Sequence, residues 1–242
     1  MTITSIENKK IKELSKLNNK KYRELNNKFL VESPHLVQEA FRSGNLLEVI
    51  LLEGNECPYK VPSTYVNYEV MKKISDVETP NTIIGVCKKN IGKSILGRKI
   101  LLLDNIQDPG NLGTIIRSSV AFDVDTIILS EGCVDLYNPK VIRSTQGMLF
   151  HINIITMNLE DAIKELKEKQ ICVYATDVHN GMDIRQLDNK DNYALVMGNE
   201  GNGVRESIKE LCDRNIYIKM NENAESLNVA IATSIILYEL GR

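Results

Sequence analysis

Residues 215–240 read NIYIKMNENAESLNVAIATSIILYEL, and this stretch decides the fold. The apolar alternation at Ile216-Tyr217-Ile218 predicts a short strand, and a polar loop follows it. Ser226 is a suitable N-cap for the helix beyond, and because that helix is apolar almost all round we expect it to be buried. Its start offers free N–H groups and a positive dipole end, which suit a phosphate or another anion. A plain capped helix whose Asn228 faces solvent would have the same sequence.

The composition is typical of a globular protein with enough chain for two modest domains or one large one. No apolar run is long enough for a membrane span, and the polar, lysine-rich start has no apolar region of the secretory type, so we expect a cytoplasmic protein. The five cysteines lie far apart without a C-x-x-C pair, and His35, His151 and His179 show no ligand spacing. We therefore expect reduced thiols and no metal.

Charge is distributed unevenly along the chain. The net charge is −2, yet residues 1–28 hold eight basic and three acidic side chains and carry +5. A basic arm of this kind can contact a phosphate backbone, although a solvated lysine-rich helix face would have the same composition. Within it, apolar residues at helical spacing predict a helix with one apolar seam, formed by Ile6, Ile11, Leu14 and Leu17.

Strands and helices alternate in two parts of the chain, which predicts an α/β fold. Residues 1–89 are a predicted N-terminal domain, 90–98 a predicted linker, and 99–242 a second domain. In the second domain the continuous apolar strands, of which Lys99–Leu103 is the first, predict a parallel sheet with helices on both faces. A further helix is predicted at Val204–Cys212.

Polar or glycine-rich loops follow the predicted strands that end at Leu103, Met197 and Ile218, and parallel sheets bind ligands at such loops. The loop Gly198–Gly203 lacks the spacing G-x-G-x-x-G and follows a late strand, which argues against a dinucleotide-binding oxidoreductase. Taken singly, the polar residues nearby have structural explanations. Arg117 fits a surface arginine paired with Asp123 or Asp125, and Asn111 and Glu200 fit helix caps.

Together the loops are far more specific than each alone. They are Asp108-Pro109-Gly110-Asn111-Leu112-Gly113-Thr114-Ile115-Ile116-Arg117, then Val196-Met197-Gly198-Asn199-Glu200-Gly201-Asn202-Gly203, then Ile218-Lys219-Met220 with Glu225-Ser226-Leu227-Asn228-Val229-Ala230. In order, spacing and position these closely resemble the three signature motifs of the SpoU (TrmH-like) family of RNA ribose 2′-O-methyltransferases, in the SPOUT superfamily. Arg143-Ser144-Thr145-Gln146-Gly147 resembles the family's intervening segment. Residues 29–86 resemble, more weakly, a substrate-binding module like ribosomal protein L30e.

The resemblance implies a parallel-sheet domain with a deep C-terminal trefoil knot, preceded by the small L30e-like α/β domain. It implies that S-adenosylmethionine binds in that knot, with Gly198, Ile218, Leu227 and nearby Met220 as the contacting residues. One departure is the stretch Asn221–Ala224, where family members often have a glycine. The family's members are homodimers, and the site is completed across the interface.

The resemblance also assigns catalytic residues. Arg117 matches the family's catalytic arginine, and Asn111, Glu200, Ser226 and Asn228 match its supporting polar residues. Since an arginine guanidinium stays protonated near neutral pH, proton removal by Arg117 would need a neighbouring RNA phosphate. The alternative is that Arg117 clamps that phosphate and the ribose hydroxyl while phosphate or water accepts the proton.

Three functions remain open on the sequence. The favoured function is methyl transfer to a ribose 2′-hydroxyl of 23S ribosomal RNA, because the extra module resembles that of large-subunit rRNA modifiers. The alternatives are transfer to tRNA and a non-catalytic RNA-binding protein of the same fold. The intact set of Arg117, Glu200, Ser226 and Asn228 argues against the last of these.

Overall fold

The computed structural model describes residues 2–90, 92, 94–178, 180–187 and 191–241. His179 and two residues of the predicted linker, 91 and 93, lie outside that part. The chain divides into two compact units, the first made of Met1–Asn90 with Asp135–His151 and the second of Ile91–Val134 with Ile152–Arg242. None of the described helices is both long and apolar enough to cross a bilayer.

Twelve strands are described. In chain order they are β1 (Thr2–Ile3), β2 (Lys28–Glu32), β3 (Leu46–Leu52), β4 (Ser63–Val66), β5 (Ile83–Lys88), β6 (Lys99–Leu103), β7 (Thr126–Leu129), β8 (Asn153–Thr156), β9 (Cys172–Thr176), β10 (Met182–Asp183), β11 (Tyr193–Met197) and β12 (Arg214–Tyr217). The α-helices of the described residues are α1 (Lys9–Lys16), α2 (Lys20–Asn26), α3 (Pro34–Arg42), α4 (Tyr68–Ile74), α5 (Pro109–Ala121), α6 (Pro139–Thr145), α7 (Leu159–Glu168), α8 (Glu206–Lys209) and α9 (Val229–Leu240).

The first unit is built on a mixed sheet with strand order β1-β4-β3-β5-β2. Its strands β2, β3 and β5 alternate with the helices α3 and α4, which confirms the α/β pattern predicted for this part of the chain. The Ser33 hydroxyl caps α3 by accepting from the Leu36 N–H at 3.2 Å. Strand β4 was not predicted, because Pro58 and Pro62 make its approach look like a turn. The prediction of a single helix for the basic arm is wrong. Helix α1 ends at Lys16, and Asn19 caps a second helix, α2.

The segment Asp135–His151 completes the core of the first unit, although it lies within 99–242 of the sequence. Tyr137, Ile142 and Leu149 are buried in the same apolar cluster as Phe29. The rings of Phe29 and Tyr137 have centroids 4.6 Å apart, and the Tyr137 hydroxyl donates to the carbonyl of Asn90 at 2.8 Å. Residues far apart in sequence therefore share one N-terminal core.

The second unit contains a seven-stranded sheet in the order β10-β12-β9-β11-β6-β7-β8. Every pairing in it is parallel, which confirms the parallel sheet predicted from the sequence. In β6, Ile100 to Leu103 are all fully buried, so the two faces of this strand are covered. The short edge strand β10 was not predicted.

Two helices of the second unit differ from the prediction. The helix expected at Val204–Cys212 is only the single turn α8. The cap of α9 is not Ser226 but Asn228, whose Oδ1 accepts from the backbone N–H groups of Ala230 at 2.9 Å and Ile231 at 3.3 Å. The expectation of free amides for an anion is therefore wrong for those two groups.

Helix α9 is also not buried all round. Ile231, Ile235 and Tyr238 are 53%, 38% and 51% exposed, and their spacing of four and three residues places them on one face. The opposite side, with Ala230, Thr233, Ile236 and Leu237, is buried. The uniformly apolar sequence hides this division, because both faces carry the same kind of residue.

The buried carboxyl of Glu39 in the first unit makes stability depend on pH. Its Oε2 lies 2.6 Å from His151 Nε2, and Arg42 donates to its Oε1 at 3.0 Å. The hydrogen bond with His151 holds the pKa of Glu39 below its ordinary value of 4.5. A lowered pKa adds stability that is present above the unfolded value and lost as the pH falls through the folded value.

We predict that Glu39→Gln removes part of the acid sensitivity of the first unit. In the variant, the protection of backbone amides against hydrogen exchange should fall less steeply than in the wild type as the pH drops below about 4.5, where the native carboxyl must take up a proton. Hydrogen exchange of the β2 amides at a series of pH values measures this unit by itself. Glu53→Gln, which changes an exposed carboxyl of the same unit, is the control. Equal acid slopes for all three proteins would contradict the prediction.

Candidate functional site

The loops after β6, β9, β11 and β12 leave the sheet at the same edge, because these strands are parallel and neighbours in the order β12-β9-β11-β6. The pairing of Met197 with Leu103 brings the ends of β11 and β6 level. The three loops singled out in the sequence are therefore brought together, and the loop after β9 joins them.

A hydrogen-bonded network links these loops. Asn111 donates from Nδ2 to Glu200 Oε1 at 2.8 Å, and its Oδ1 accepts from Asn228 Nδ2 at 2.9 Å. Each of the three side chains comes from a different loop, and Asn228 also caps α9. The network orders the start of α5, the glycine-rich loop and the start of α9 relative to one another.

Asn111 and Glu200 are not helix caps, which was the structural explanation for them on the sequence. Asp108, and not Asn111, caps α5, because its Oδ1 accepts from the Asn111 N–H at 2.8 Å. Asn111 lies in the first turn with its side chain in the network. Glu200 is not the cap of α8, which begins after Arg205, and instead accepts from Asn111.

Arg117 stands apart from this network in the single chain. It is exposed on α5, six residues beyond Asn111, which is about 9 Å along the helix and about 240° around it. Within the described part of the chain its guanidinium makes no ion pair or hydrogen bond. The pairing with Asp125 considered from the sequence does not occur, because Asp125 accepts from the backbone N–H groups of Arg98 and Lys99 at 2.7 and 2.9 Å.

The loop Gly198–Gly203 is held by its own backbone and by Asn199. The N–H and carbonyl groups of Asn199 pair with those of Gly203 at 3.0 and 2.9 Å, and the Asn199 side chain accepts from Gly201 N–H at 2.9 Å and donates to the Asn105 carbonyl at 2.9 Å. A Cβ on Gly198 would lie 2.0 Å from the carbonyl carbon of Gly203 and from the nitrogen of Val204. Only glycine therefore fits at that position.

A cavity of about 420 Å³ opens among the loops of the second unit. The four residues predicted to contact a cofactor all line it: Gly198, Ile218, Met220 and Leu227. Glu200 and Ser226 line it as well. Arg117, Asn111 and Asn228 do not line it. The volume is within the range of sites for small molecules, and its wall combines apolar side chains with a few charged groups.

Several residues of this site were missed in the sequence. Asn199 was visible in the glycine-rich loop, but nothing in the pattern showed that its amide organises the loop. Asp177 follows β9, and Lys209 lies on α8. Both line the cavity, where Lys209 Nζ is 2.7 Å from Asp177 Oδ2. An aspartate and a lysine separated by 32 residues leave no sequence signal for such a contact.

Thiol and metal chemistry receive no support from the described residues. Burial raises the pKa of the Cys133 and Cys87 thiols, and it raises that of Cys212 to about 12. Those three thiols are therefore protonated near neutral pH and are poor nucleophiles. Among the described side chains, no group of three His, Cys, Asp or Glu residues is arranged to hold a metal ion.

Comparison with known proteins agrees with the geometry. The sequence matches the SpoU rRNA Methylase family over residues 98–238 and the MRM3-like substrate binding domain over residues 8–85. It is 38% identical, over 98% of both chains, to the 23S rRNA (guanosine(2553)-2′-O)-methyltransferase RlmP of Bacillus subtilis.

Solved structures share the whole fold. The AdoMet-bound rRNA methyltransferase from Sinorhizobium meliloti superposes with a TM-score of 0.88 at 29% identity, covering 99% of this chain and 97% of that one. An RNA 2′-O ribose methyltransferase superposes with a TM-score of 0.84 at 27% identity, covering 99% and 98%. The two-part sequence match, the full-length relative and the loop network all agree, and the chain belongs to the SpoU rRNA methylase family.

Proposed function

We propose that this protein transfers a methyl group from S-adenosylmethionine to a ribose 2′-hydroxyl of 23S ribosomal RNA. The observation that carries the proposal is the Asn111–Glu200–Asn228 network beside a cavity lined by Gly198 and Leu227. The activity of the Bacillus subtilis relative on 23S rRNA supports the choice of ribosomal RNA, and the donor bound in the Sinorhizobium meliloti structure supports the choice of donor.

The cavity fits the methyl donor by size and by charge. Gly198 lets the backbone form part of the wall, which a side chain would fill. The acidic residues Asp177, Glu200 and Glu225 line the cavity, and carboxylates suit a ligand with a cationic sulfonium and an ammonium group. When bound, the donor supplies an electrophilic methyl group. The chain's own part is to hold that group against the incoming hydroxyl and to exclude water, and such positioning contributes about 7–11 kcal/mol.

For Arg117 we propose the role of a clamp for the RNA. Its guanidinium has no partner within the described residues and offers a planar fork that matches a phosphate. Because an arginine guanidinium stays protonated near neutral pH and cannot accept a proton, the proton of the hydroxyl passes to a phosphate oxygen or to water. Arg117 orients the hydroxyl and balances the negative charge that forms on it. We assign Ser226 and Glu200, at the cavity wall, to the same site.

We propose further that two copies of the chain form the enzyme and that the partner completes each site. Arg117 lies on a different side of α5 from Asn111. In the single chain an apolar stripe of α9 is exposed to water, and a second copy would bury it; the stripe consists of Ile231, Ile235 and Tyr238. Helix α5 is joined to α9 by the 2.7 Å contact between the hydroxyls of Ser118 and Ser234, so Arg117 lies close to the helix that carries this stripe. A symmetric contact through these helices gives each site a second source of arginine.

Three other assignments rest on family membership. We propose that the chain after β12 threads through a preceding loop as a trefoil knot, and that the protein works in the cytoplasm. We propose that residues 1–89 act as the RNA-binding module, joined by the linker 90–98 to the catalytic domain 99–242. Lys9, Lys20, Lys21 and Lys28 support the RNA-binding role, because they are exposed on the first unit and form no ion pair with any described residue.

The central test is methyl transfer from labelled donor to purified RNA. We expect label in 23S rRNA at the ribose of a guanosine, at the position equivalent to the one in the name of the Bacillus subtilis relative. Mapping of the 2′-O-methyl group by alkaline cleavage locates it. If label appeared in tRNA alone, tRNA and not 23S rRNA would be the substrate. If the protein neither bound the donor nor transferred a methyl group, it would be a non-catalytic RNA-binding protein.

We predict that Gly198→Ala weakens binding of the methyl donor by roughly ten- to a hundredfold, because the new Cβ must displace the backbone at Gly203. Gly201→Ala is the matched control in the same loop, since its Cβ would come no closer than 3.4 Å to the Asn199 side chain. Titration calorimetry with S-adenosylhomocysteine measures both. Equal affinities for the two variants would argue against the backbone wall at Gly198.

We predict that Arg117→Ala lowers the rate of methyl transfer by about a hundredfold or more while donor affinity stays unchanged. Lys164→Ala, an exposed cation on α7, is the control. If the arginine acts across the dimer, co-expressed Arg117→Ala and Gly198→Ala chains, assayed at a donor concentration too low to fill the Gly198→Ala site, should regain about a quarter of the wild-type rate. Random pairing makes about half of the dimers mixed, and only one of the two sites in each mixed dimer is complete. Mixed dimers without any regained rate would place Arg117 in the site of its own chain.

We predict that replacing Lys20 and Lys21 by glutamine reduces the salt dependence of RNA binding. If each lysine contacts one phosphate, the slope of log affinity against log salt should become shallower by roughly 1.5. Filter binding of the RNA substrate between low and moderate salt gives the slope, and Lys164→Gln serves as the control. If the slope equalled that of the wild type, these lysines would not contact the RNA phosphates.

A further inference from the structure

The donor cavity has a second polar end that the catalytic network does not use. Lys209 Nζ lies 2.7 Å from Asp177 Oδ2, and both side chains line the cavity. Their side chains are 19% and 13% exposed, so the pair is largely screened from water by the protein. Asp177 belongs to the acidic wall of the cavity, and Lys209 takes no part in the Asn111–Glu200–Asn228 network.

The sheet places this pair away from the network. Asp177 directly follows β9, and Asn111 follows β6, which lies two strands further along the sheet. With strands about 4.8 Å apart, the end of β9 and the end of β6 are separated by about 10 Å across the sheet. A donor whose methyl group faces the network therefore extends its remaining polar groups toward β9.

Charge identifies the group that Lys209 suits. Among the described residues that line the cavity, Lys209 is the sole cation, whereas Asp177, Glu200 and Glu225 are acidic. S-adenosylmethionine carries two positive groups and a single anion, its α-carboxylate. Elsewhere along this wall a carboxylate would meet the acidic residues, apolar side chains or neutral polar groups such as Asn202 and Ser226, and none of these supplies an opposite charge.

Lys209 also has donors to spare. An ammonium has three N–H groups, and one of them goes to Asp177. The nearest carboxylate oxygen of Glu206 is 3.8 Å away, which is too long for a hydrogen bond. Asp177 itself is held in place, because its Oδ1 accepts from the Asn180 N–H at 3.1 Å and its own N–H donates to the Ile216 carbonyl at 2.9 Å.

We infer that Lys209 binds the α-carboxylate of the methyl donor and that Asp177 is the positioning residue that holds the Lys209 ammonium in the cavity. This inference rests on the proposed function, since it assigns the donor's orientation within the same cavity. The pair selects ligands that carry an amino-acid tail, and it turns the methyl group toward the network at the other end.

Two ligands that differ only in that tail test the inference. S-adenosylhomocysteine carries the amino-acid tail, and 5′-methylthioadenosine has a methyl group in its place. Titration calorimetry of the full-length wild type should show tighter binding of the first. Lys209→Met keeps an unbranched apolar stem. It should lower the affinity for S-adenosylhomocysteine by roughly ten- to a hundredfold and change the affinity for 5′-methylthioadenosine by no more than about twofold.

Further variants separate a binding role from a structural one. Lys209→Arg should keep the preference for the tailed ligand, and Asp177→Asn should lose part of it. Lys167→Met removes an exposed partner of Asp213 in the same unit and should change neither affinity. Thermal unfolding of each variant controls for damage to the fold.

Each outcome has one meaning. If Lys209→Met lowered the affinity for both ligands equally, the lysine would have only a structural role, and the inference would be overturned. Normal binding of both ligands with impaired methyl transfer would move Lys209 to the RNA and overturn it as well. A wild type that binds both ligands equally would also refute it while the proposed function stands. A wild type that binds neither ligand would instead refute the proposed function.

Discussion

The site depends on the hydrogen bonds that Asn111 makes to Glu200 and Asn228. They join positions 89 and 117 residues apart in the chain, and each bond connects a different loop to the start of α5. An amide can donate and accept at once, so Asn111 can stand between a carboxylate and another amide without leaving either unpaired. An aspartate at this position would lack the donor that Glu200 requires.

The network would have no effect without the parallel sheet beneath it. Level pairing of β11 with β6 brings the glycine-rich loop to the same height as the start of α5. Asn199 then closes that loop on itself, and Gly198 leaves its backbone as the wall of the cavity. The polar residues can be exposed and still be well placed, because Asn111 lies in α5, Asn228 caps α9 and Glu200 follows β11 by three residues.

Packing of the first unit shows the same dependence on distant residues. Tyr137 and Ile142 come from the middle of the chain, yet they fill the core around Phe29. Arg23 is buried there, and its Nη2 lies 2.6 Å from Asp135 Oδ2. A buried arginine of this kind depends on its carboxylate partner, since an unpaired buried charge is strongly destabilising. The N-terminal core therefore requires a segment that the sequence presents as part of another domain.

The sequence by itself determined the α/β class, the parallel sheet of the second unit and the three motif loops, because apolar strands and loop chemistry are local properties. It also brought out Gly198, Ile218, Met220 and Leu227, which share the cavity wall. The tertiary structure alone decided that Asn228 caps α9, that α9 leaves one apolar face exposed, and that Lys209 meets Asp177. A cap depends on which of several polar residues reaches the free amides, and a contact between distant residues depends on strand order. Neither is written in the spacing of residues along the chain.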